Sequence, residues 1–381
     1  MGLLALCLVL LFTAGCAAPA SAAPSPAASP AQAIQSSGPE TADMPEEGSS
    51  FSVHFIDVGQ ADAALVECDG HYMLIDGGNR GDSDVIYTVL KNAGADELDM
   101  VVATHAHEDH IGGLPGAFNY ATAELTLCPV TDYDSGIFQT FKDYAQEKGG
   151  GLTVPEAGDK YALGSAEVEI LGLNAGEDAN NSSILLMIRY GETSFLFTGD
   201  AEREAEQALL DSGAELKADV LKVGHHGSDT STGYPFLREV MPEYALISVG
   251  EGNSYEHPEE GPLSRLRDAD CKILRTDLNG DIIISSDGKE LSVTTDKRAT
   301  EEQLLTPGGK KESIAKPAAP ESPKPAPAET EQPQRQETMV WVTKSGSKYH
   351  SDPECSNMKD PTQMSLSQAE SQGCTPCKKC W

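Results

Sequence analysis

The segment Thr104-His-Ala-His-Glu-Asp-His110 places four metal-binding side chains, His105, His107, Asp109 and His110, within six residues. Imidazole and carboxylate donors together suit Zn²⁺, Mn²⁺ or Fe²⁺, and a mixed set of four is enough to begin two sites. In an extended chain His105 and His107 share a face, and a turn swings Asp109 and His110 toward the same point. A satisfied histidine cluster on a surface turn is the plain alternative, and four donors at this spacing argue against it.

The elements around this segment must present it. The apolar, β-branched run Leu98–Ala103 reads as a buried strand, and Gly112-Gly113 follows, so the ligands sit on a loop at a strand's end. Across 381 residues there is room for one domain of about 250 residues plus small additions. Strands are expected at 51–56, 63–67, 73–75, 101–103, 166–171, 184–189, 195–197, 220–223, 244–249, 281–285 and 291–294. Helices are expected at 83–93, 137–148 and 202–212, an α/β pattern with two sheets between helices.

The ligand segment resembles the HxHxDH signature of the metallo-β-lactamase fold, and other stretches agree in order. Leu74–Gly78 resembles its strand-end aspartate motif, Phe195–Asp200 its metal-bridging aspartate, and Val220–Ser228 its last metal motif. Phe55–Asp62, Asn180–Ser183 and Leu274–Gly280 narrow the resemblance to the hydrolase domain of the ComEC DNA-uptake proteins and their secreted relatives. It covers roughly residues 51 to 296 and implies a four-layer αββα sandwich with the ligand loops at one edge. The chain departs from the pattern at Ala61 and Glu256, each in place of a glycine. No histidine lies between His110 and His225, so site 1 keeps only His105 and His107 as strong ligands, and Asn180-Asn181 stands where a third would be.

The resemblance implies two divalent metals, Zn or Mn, held by His105, His107, Asp109, His110, Asp200 and one of the next two histidines. Motif order favours His225 over His226. Two cations lower the pKa of a shared water and stabilise charge building on an attacked phosphorus or carbonyl oxygen. Asp109 both ligates and orients that nucleophile. Asp76 is expected behind the ligands, accepting from an imidazole, with Asn181 near it. His257, in Tyr255-Glu-His-Pro258, matches a histidine of the family motif and is the candidate proton donor to a leaving group, with a satisfied loop histidine as the alternative. Asp57 and Asp62 either brace the site or simply flank a Gly-Gln turn. Asp277 and Asn279 read as an Asx-type turn, and His54 and His71 as structural or exposed.

Outside the hydrolase domain (51–298), residues 1–23 read as an export signal with an apolar stretch from Leu3 to Phe12. Thr13-Ala-Gly-Cys16 resembles a lipobox that would lipidate Cys16, and Ala20-Ser-Ala22 offers ordinary secretory cleavage instead. The expected location is therefore outside the cell, either on the outer leaflet of the cytoplasmic membrane through a lipid or secreted, with cell-wall contact open. Residues 24–50 form a tether and 299–338 a Pro/Ala/Glu-rich linker. Residues 339–381 resemble small Ada-type metal-binding modules, too short to hold a core alone. Their expected zinc ligands are His350, Cys355, Cys377 and Cys380, with Cys374 as a substitute, and two disulfides are the alternative. Cys68, Cys128 and Cys271 read as buried thiols.

Three functions remain open. The first is a phosphodiesterase or nuclease on DNA or RNA, or on another phosphodiester such as a teichoic acid or nucleotide. A net charge of −33 and the lack of a Lys/Arg stripe weigh against a long polyanion. The second is a hydrolase of a lactam, lactone or thioester, and the third a non-catalytic metal-binding protein.

Overall fold

A computed structural model describes Pro45, residues 48–176 and 178–308, and, nearer the C-terminus, residues 339–343, 348–350, 355, 361–365, 369, 374–377 and 379. The expected signal with Cys16, most of the tether, the linker beyond 308 and Cys380 lie outside these residues. The chain divides into two units, Met1–Ser313 and Ile314–Trp381.

The first sheet begins with β1 (Phe51–Phe55), β2 (Ala64–Cys68), β3 (His71–Ile75), β4 (Glu97–Val102), β5 (Thr122–Leu127) and the short β6 (Leu152–Thr153). The second follows as β7 (Lys160–Leu163), β8 (Ala166–Gly172), β9 (Leu185–Tyr190), β10 (Thr193–Phe197), β11 (Val220–Lys222), β12 (Tyr244–Ile247) and β13 (Lys272–Arg275). The chain then returns to the first sheet through β14 (Ile282–Ser286) and β15 (Leu291–Thr295). Strand order is β15-β14-β1-β2-β3-β4-β5-β6 in one sheet and β13-β12-β11-β10-β9-β8-β7 in the other.

Side-chain alternation explains why the sheets stack. Phe51, Val53 and Phe55 of β1, Met73 and Ile75 of β3, and Phe195 and Phe197 of β10 all point into one core between the sheets. Phe51 stacks on Tyr190 at 5.0 Å between ring centroids, and Phe55 on Phe197 at 5.7 Å. The intervening residues face outward into two further cores. Leu74 and Val101 meet α1 (Ser83–Ala93), α3 (Leu114–Tyr120) and α4 (Gly136–Lys148), with the single turn α2 (Glu108–Ile111) preceding α3. Leu196 and Leu221 meet α5 (Arg203–Ser212), α6 (Tyr234–Val240) and α7 (Glu260–Asp268). The result is the expected four layers, αββα.

Sequence reading passes over α3, α6 and α7, each with a proline in its first turn. At that position the missing N–H is one the helix leaves unpaired anyway. The domain also runs past the expected boundary at 298. After the turn α8 (Thr276–Asn279), the helix α9 (Glu301–Leu304) packs Leu304 and Leu305 on the outer core. Buried Arg275 donates to the carbonyls of Leu304 (3.2 Å) and Thr306, and Gly308 N donates to Pro258 O at 2.9 Å. Unpaired carbonyls beside a buried guanidinium hold this segment in the domain. Asp277 and Asn279 likewise serve Arg275: Asp277 pairs with its guanidinium at 2.6 Å and Asn279 Oδ1 accepts its N–H at 3.0 Å.

In the C-terminal unit, β16 (Met339–Val342) pairs antiparallel with β18 (Thr362–Ser365). β17 (Lys348–Tyr349) pairs parallel with β19 (Thr375–Pro376) around Val340, Val342, Tyr349 and Ala369.

Candidate metal centre

Every strand that carries a candidate ligand ends on the same side. β3 delivers Asp76, β4 delivers the segment from Thr104, β10 delivers Asp200, and β11 delivers His225-His226. Open α/β sheets gather polar loops at the C-terminal ends of parallel strands in this way. Two loops are locked together by close approach: Gly77 N donates to His110 O at 2.7 Å and Gly113 N to Gly78 O at 3.1 Å. A Cβ on Gly113 would strike the Gly77 carbonyl, so only glycine fits.

Asp109, His110, Asp200 and His226 bring one donor atom each within 4.8 Å of one another. His110 Nε2 lies 3.2 Å from Asp200 Oδ1, and His226 Nε2 lies 3.3 Å from Asp109 Oδ2 and 3.6 Å from Asp200 Oδ2. His110 Nε2 and Asp200 Oδ1 are buried without a hydrogen-bond partner. Buried orphaned donors of this kind, aimed at one point, fit a divalent cation. His105 is fully buried, with Nε2 3.1 Å from His107 Nδ1 and 4.0 Å from Asp200 Oδ2. Asp200 thus faces both pairs.

The order of preference between the paired histidines is reversed. His226 is buried and enters the four-donor group, whereas His225 is partly exposed. His225 Nδ1 instead meets Glu202 Oε1 at 3.0 Å, and its Nε2 stands 3.7 Å from Asp200 Oδ2. The backbone sets this geometry: both residues take left-handed φ, 47° and 53°, and turn away from an extended course, which motif order does not record. Such conformations cost about 1–3 kcal/mol each and persist where surrounding structure imposes them.

Behind the ligands, Asp76 accepts from Thr104 N (2.8 Å) and Thr104 Oγ1 (2.7 Å) and meets His110 Nδ1 at 2.8 Å, which turns His110 Nε2 toward Asp200. For His226 the corresponding acceptor is Ser248 O, 3.0 Å from His226 Nδ1, with Oδ1 of the Asp62 carboxylate beside it at 3.2 Å. Lys222 Nζ sits 2.6 Å from the other Asp62 oxygen, both residues buried. Lys222 escaped sequence reading; the available signal was a lysine inside an otherwise apolar strand, where a buried cation needs a carboxylate. Asn181 Oδ1 accepts from Glu202 N (3.1 Å) and Ala205 N (3.2 Å), fixing the start of α5 just after Asp200. Asn180 donates to Glu202 at 3.2 Å, and its buried Oδ1 has no hydrogen-bond partner. Asp57, His54 and His71 stand apart: Asp281 holds Asp57 N and His54, each at 2.8 Å, and Asp99 holds His71 at 2.8 Å.

Charge follows from this packing. Burial alone would lower the His226 pKa, but Asp200 and Asp62 outweigh it and push it up to about 10. His110 is raised in the same way, burial being overcome by Asp200 and Asp76. His105 is lowered, by burial first and then by His110. Asp109 falls to about 2: burial raises it, but the hydrogen bond from His226 and the charge of His110 prevail. His257 is pushed down to about 4, first by burial and then by His226 and His225. With its pKa so lowered, His257 carries mainly the neutral imidazole at pH 7 in the metal-free protein. It remains a hydrogen-bonding side chain, with Nδ1 3.4 Å from Gln60 Nε2.

These residues floor a cleft of about 550 Å³ lined by His107, Glu108, Asp109, Asn180, Asp200, both paired histidines, Gln60, Asn79, Tyr255 and His257. Among the described residues no lysine or arginine lines it.

In the C-terminal unit, His350, Cys355 and Cys377 bring their donor atoms within 4.8 Å of one another. The two sulfurs lie 3.9 Å apart, far wider than the ~2 Å of a disulfide.

Residues 56–251 match the Metallo-beta-lactamase superfamily. ComE operon protein 3 of Bacillus subtilis (strain 168) is 32% identical over 254 residues, 61% of this chain and 33% of that protein. Competence protein ComA of Neisseria gonorrhoeae is 31% identical over 62% of this chain and 32% of its own length. The chain thus matches about a third of these relatives. Among solved structures, the metallo-beta-lactamase fold protein YhfI of Bacillus subtilis aligns with a TM-score of 0.44 and 13% identity, over 62% of this chain and 100% of that one.

Proposed function

Because the chain belongs to the metallo-beta-lactamase superfamily, whose fold implies a divalent metal, we propose that it is an exported metallohydrolase that cuts phosphodiester bonds, nucleic acid foremost. The observation that carries this reading is the cluster of Asp109, His110, Asp200 and His226 at the floor of an open cleft. The relatives named for competence add weight toward a nucleic-acid substrate.

Asp109, His110, Asp200 and His226 would hold one cation, and His105, His107 and Asp200 a second, with Zn²⁺ or Mn²⁺ as the candidates. Bound there, such cations activate water at neutral pH and offset charge on the attacked phosphate. The protein's own part is orientation. Asp76 and the Ser248 carbonyl each engage an imidazole Nδ1, which leaves the Nε2 lone pairs of His110 and His226 directed inward. Asn181 holds the turn that carries Asp200. Asn180 and His257 line the cleft and offer hydrogen bonds to substrate oxygens.

The test begins with metal content by mass spectrometry, then turnover of a plain phosphodiester and of a DNA oligonucleotide. Cleavage that depends on added metal, and that drops by several powers of ten in Asp200→Ala, is expected. Activity that survives chelation or loss of Asp200 refutes the mechanism. Hydrolysis of a lactone or thioester with no phosphodiester turnover would assign the site to the carbonyl class instead.

A structural zinc in the C-terminal unit belongs to the same proposal. Two thiolates on one tetrahedral Zn²⁺ stand about 3.8 Å apart, given Zn–S bonds of about 2.3 Å, close to the 3.9 Å between Cys355 and Cys377. His350 supplies a third ligand, and Cys380 is the expected fourth. The full chain should lose one equivalent of zinc in Cys377→Ser. Unchanged zinc content overturns this ligand set.

A further inference from the structure

At the cleft mouth, the Tyr255 ring lies over the His257 imidazole with centroids 5.6 Å apart and planes within 27°. Tyr255 is 67% exposed, so much of the side chain stays open to solvent beside the imidazole. Its loop is built to hold that pose. Asn253 Oδ1 accepts from Tyr255 N at 3.1 Å and His257 N at 3.0 Å, while Asn253 Nδ2 donates to Gly250 O and His257 O at 2.9 and 2.6 Å. One asparagine therefore pins both ends of the tripeptide, and Glu256 between them takes a left-handed φ of 61°. A tyrosine fixed this way loses little freedom when a flat ligand lands on it.

The chemistry around it narrows the ligand. Among the described residues the cleft has no lysine or arginine lining to track a phosphate backbone, and Glu108 is part of its wall. Glu259 Oε1 lies 3.9 Å from His257 Nε2, adding a second carboxylate beside the platform. Affinity beyond the cations must then come from something other than phosphate contacts. Stacking of a base on an aromatic ring is insensitive to charge and tolerant of sequence. A base inside a duplex is already stacked and is not available to it.

We propose that Tyr255, backed by His257, is a stacking platform for an unpaired base beside the scissile phosphate, which makes the substrate single-stranded nucleic acid or a short oligonucleotide rather than duplex. This inference rests on the phosphodiesterase reading. The path from the metal cluster to the platform is continuous: His225 Nε2 is 3.7 Å from Asp200, and the His225 and His257 rings are 5.7 Å apart.

The test uses the full chain loaded with Mn²⁺ and two end-labelled substrates, a thymidine tetranucleotide and the same backbone with abasic tetrahydrofuran units. The base-bearing substrate should show a KM about ten- to hundredfold below the abasic one. In Tyr255→Ala that advantage should collapse toward one, and Tyr255→Trp should restore it. Circular dichroism and metal content report whether each variant is folded and loaded. Equal KM for both substrates in the wild type, or an undiminished advantage in Tyr255→Ala, overturns the platform while leaving the phosphodiesterase reading intact. Failure of the loaded wild type to cleave either substrate removes that reading, and the platform with it.

Discussion

His110 and His226 show how a single buried cluster prepares itself for a cation. Without metal, their protons are held by the carboxylates of Asp76, Asp200 and Asp62 against the penalty of burial. Each imidazole must surrender its proton to ligate. Metal affinity should therefore rise with pH from 6 to 9, about tenfold per unit for each proton displaced. Calorimetric titrations in buffers of different ionisation enthalpy would measure the released protons, and a pH-independent affinity would contradict this account. The sign for the metal-free fold is the opposite. With the His226 pKa raised from 6.5 to about 10, its contribution to stability is complete below pH 6.5 and is lost as pH climbs through 10. Chemical denaturation of chelated protein at pH 7 and pH 10 should register that loss. The paired histidines give a second residue-scale prediction. His226→Ala removes a member of the four-donor group and should abolish one metal equivalent, while His225→Ala should retain it. Equal loss in both would return His225 to the ligand set.

Elements act here as supports whose ends matter more than their middles. β3, β4, β10 and β11 are apolar on both faces because each lies between the inter-sheet core and a helical layer. That double burial is why these strands were legible as continuous apolar runs. The strand β5, with polar residues alternating at 122, 124 and 126, was not. The shared core is what fixes the spacing between the two groups of ligand loops. Phe195, fully buried three residues before the Thr198–Asp200 turn, touches Phe51 across the sheets with ring centroids 5.1 Å apart. Phe195→Ala should destabilise the domain by about 3–5 kcal/mol in urea denaturation. A cost under 1 kcal/mol would mean the sheets tolerate a cavity there and do not fix the spacing.

At the scale of the whole molecule, the chain carries a folded hydrolase domain and a small C-terminal unit, each with its own cluster of metal-binding side chains. Among the described residues no helix is long and apolar enough to cross a membrane. The proposed attachment rests on Cys16 in Thr13-Ala-Gly-Cys16. Cells fed a fatty-acid probe should label the full-length protein and not Cys16→Ser. Labelling of both removes the lipid anchor and leaves ordinary secretion.

The sequence by itself determined the layered α/β architecture and the ligand segment from His105 to His110. Local spacing and strand-length apolar runs are properties of neighbours along the chain, and they survive without knowledge of the fold. Asp76 and Asp200 were legible for the same reason, each closing an apolar run at a strand end. Only the tertiary structure decided between His225 and His226, because the choice rests on left-handed backbone torsions that no pattern of residue types records. It alone revealed Lys222 against Asp62, a pair separated by most of the domain in sequence and 2.6 Å apart in space. It alone shows the burial and the two neighbouring imidazoles that lower the His257 pKa. Contacts between distant segments and the desolvation they impose arise only when the two sheets close on their common core.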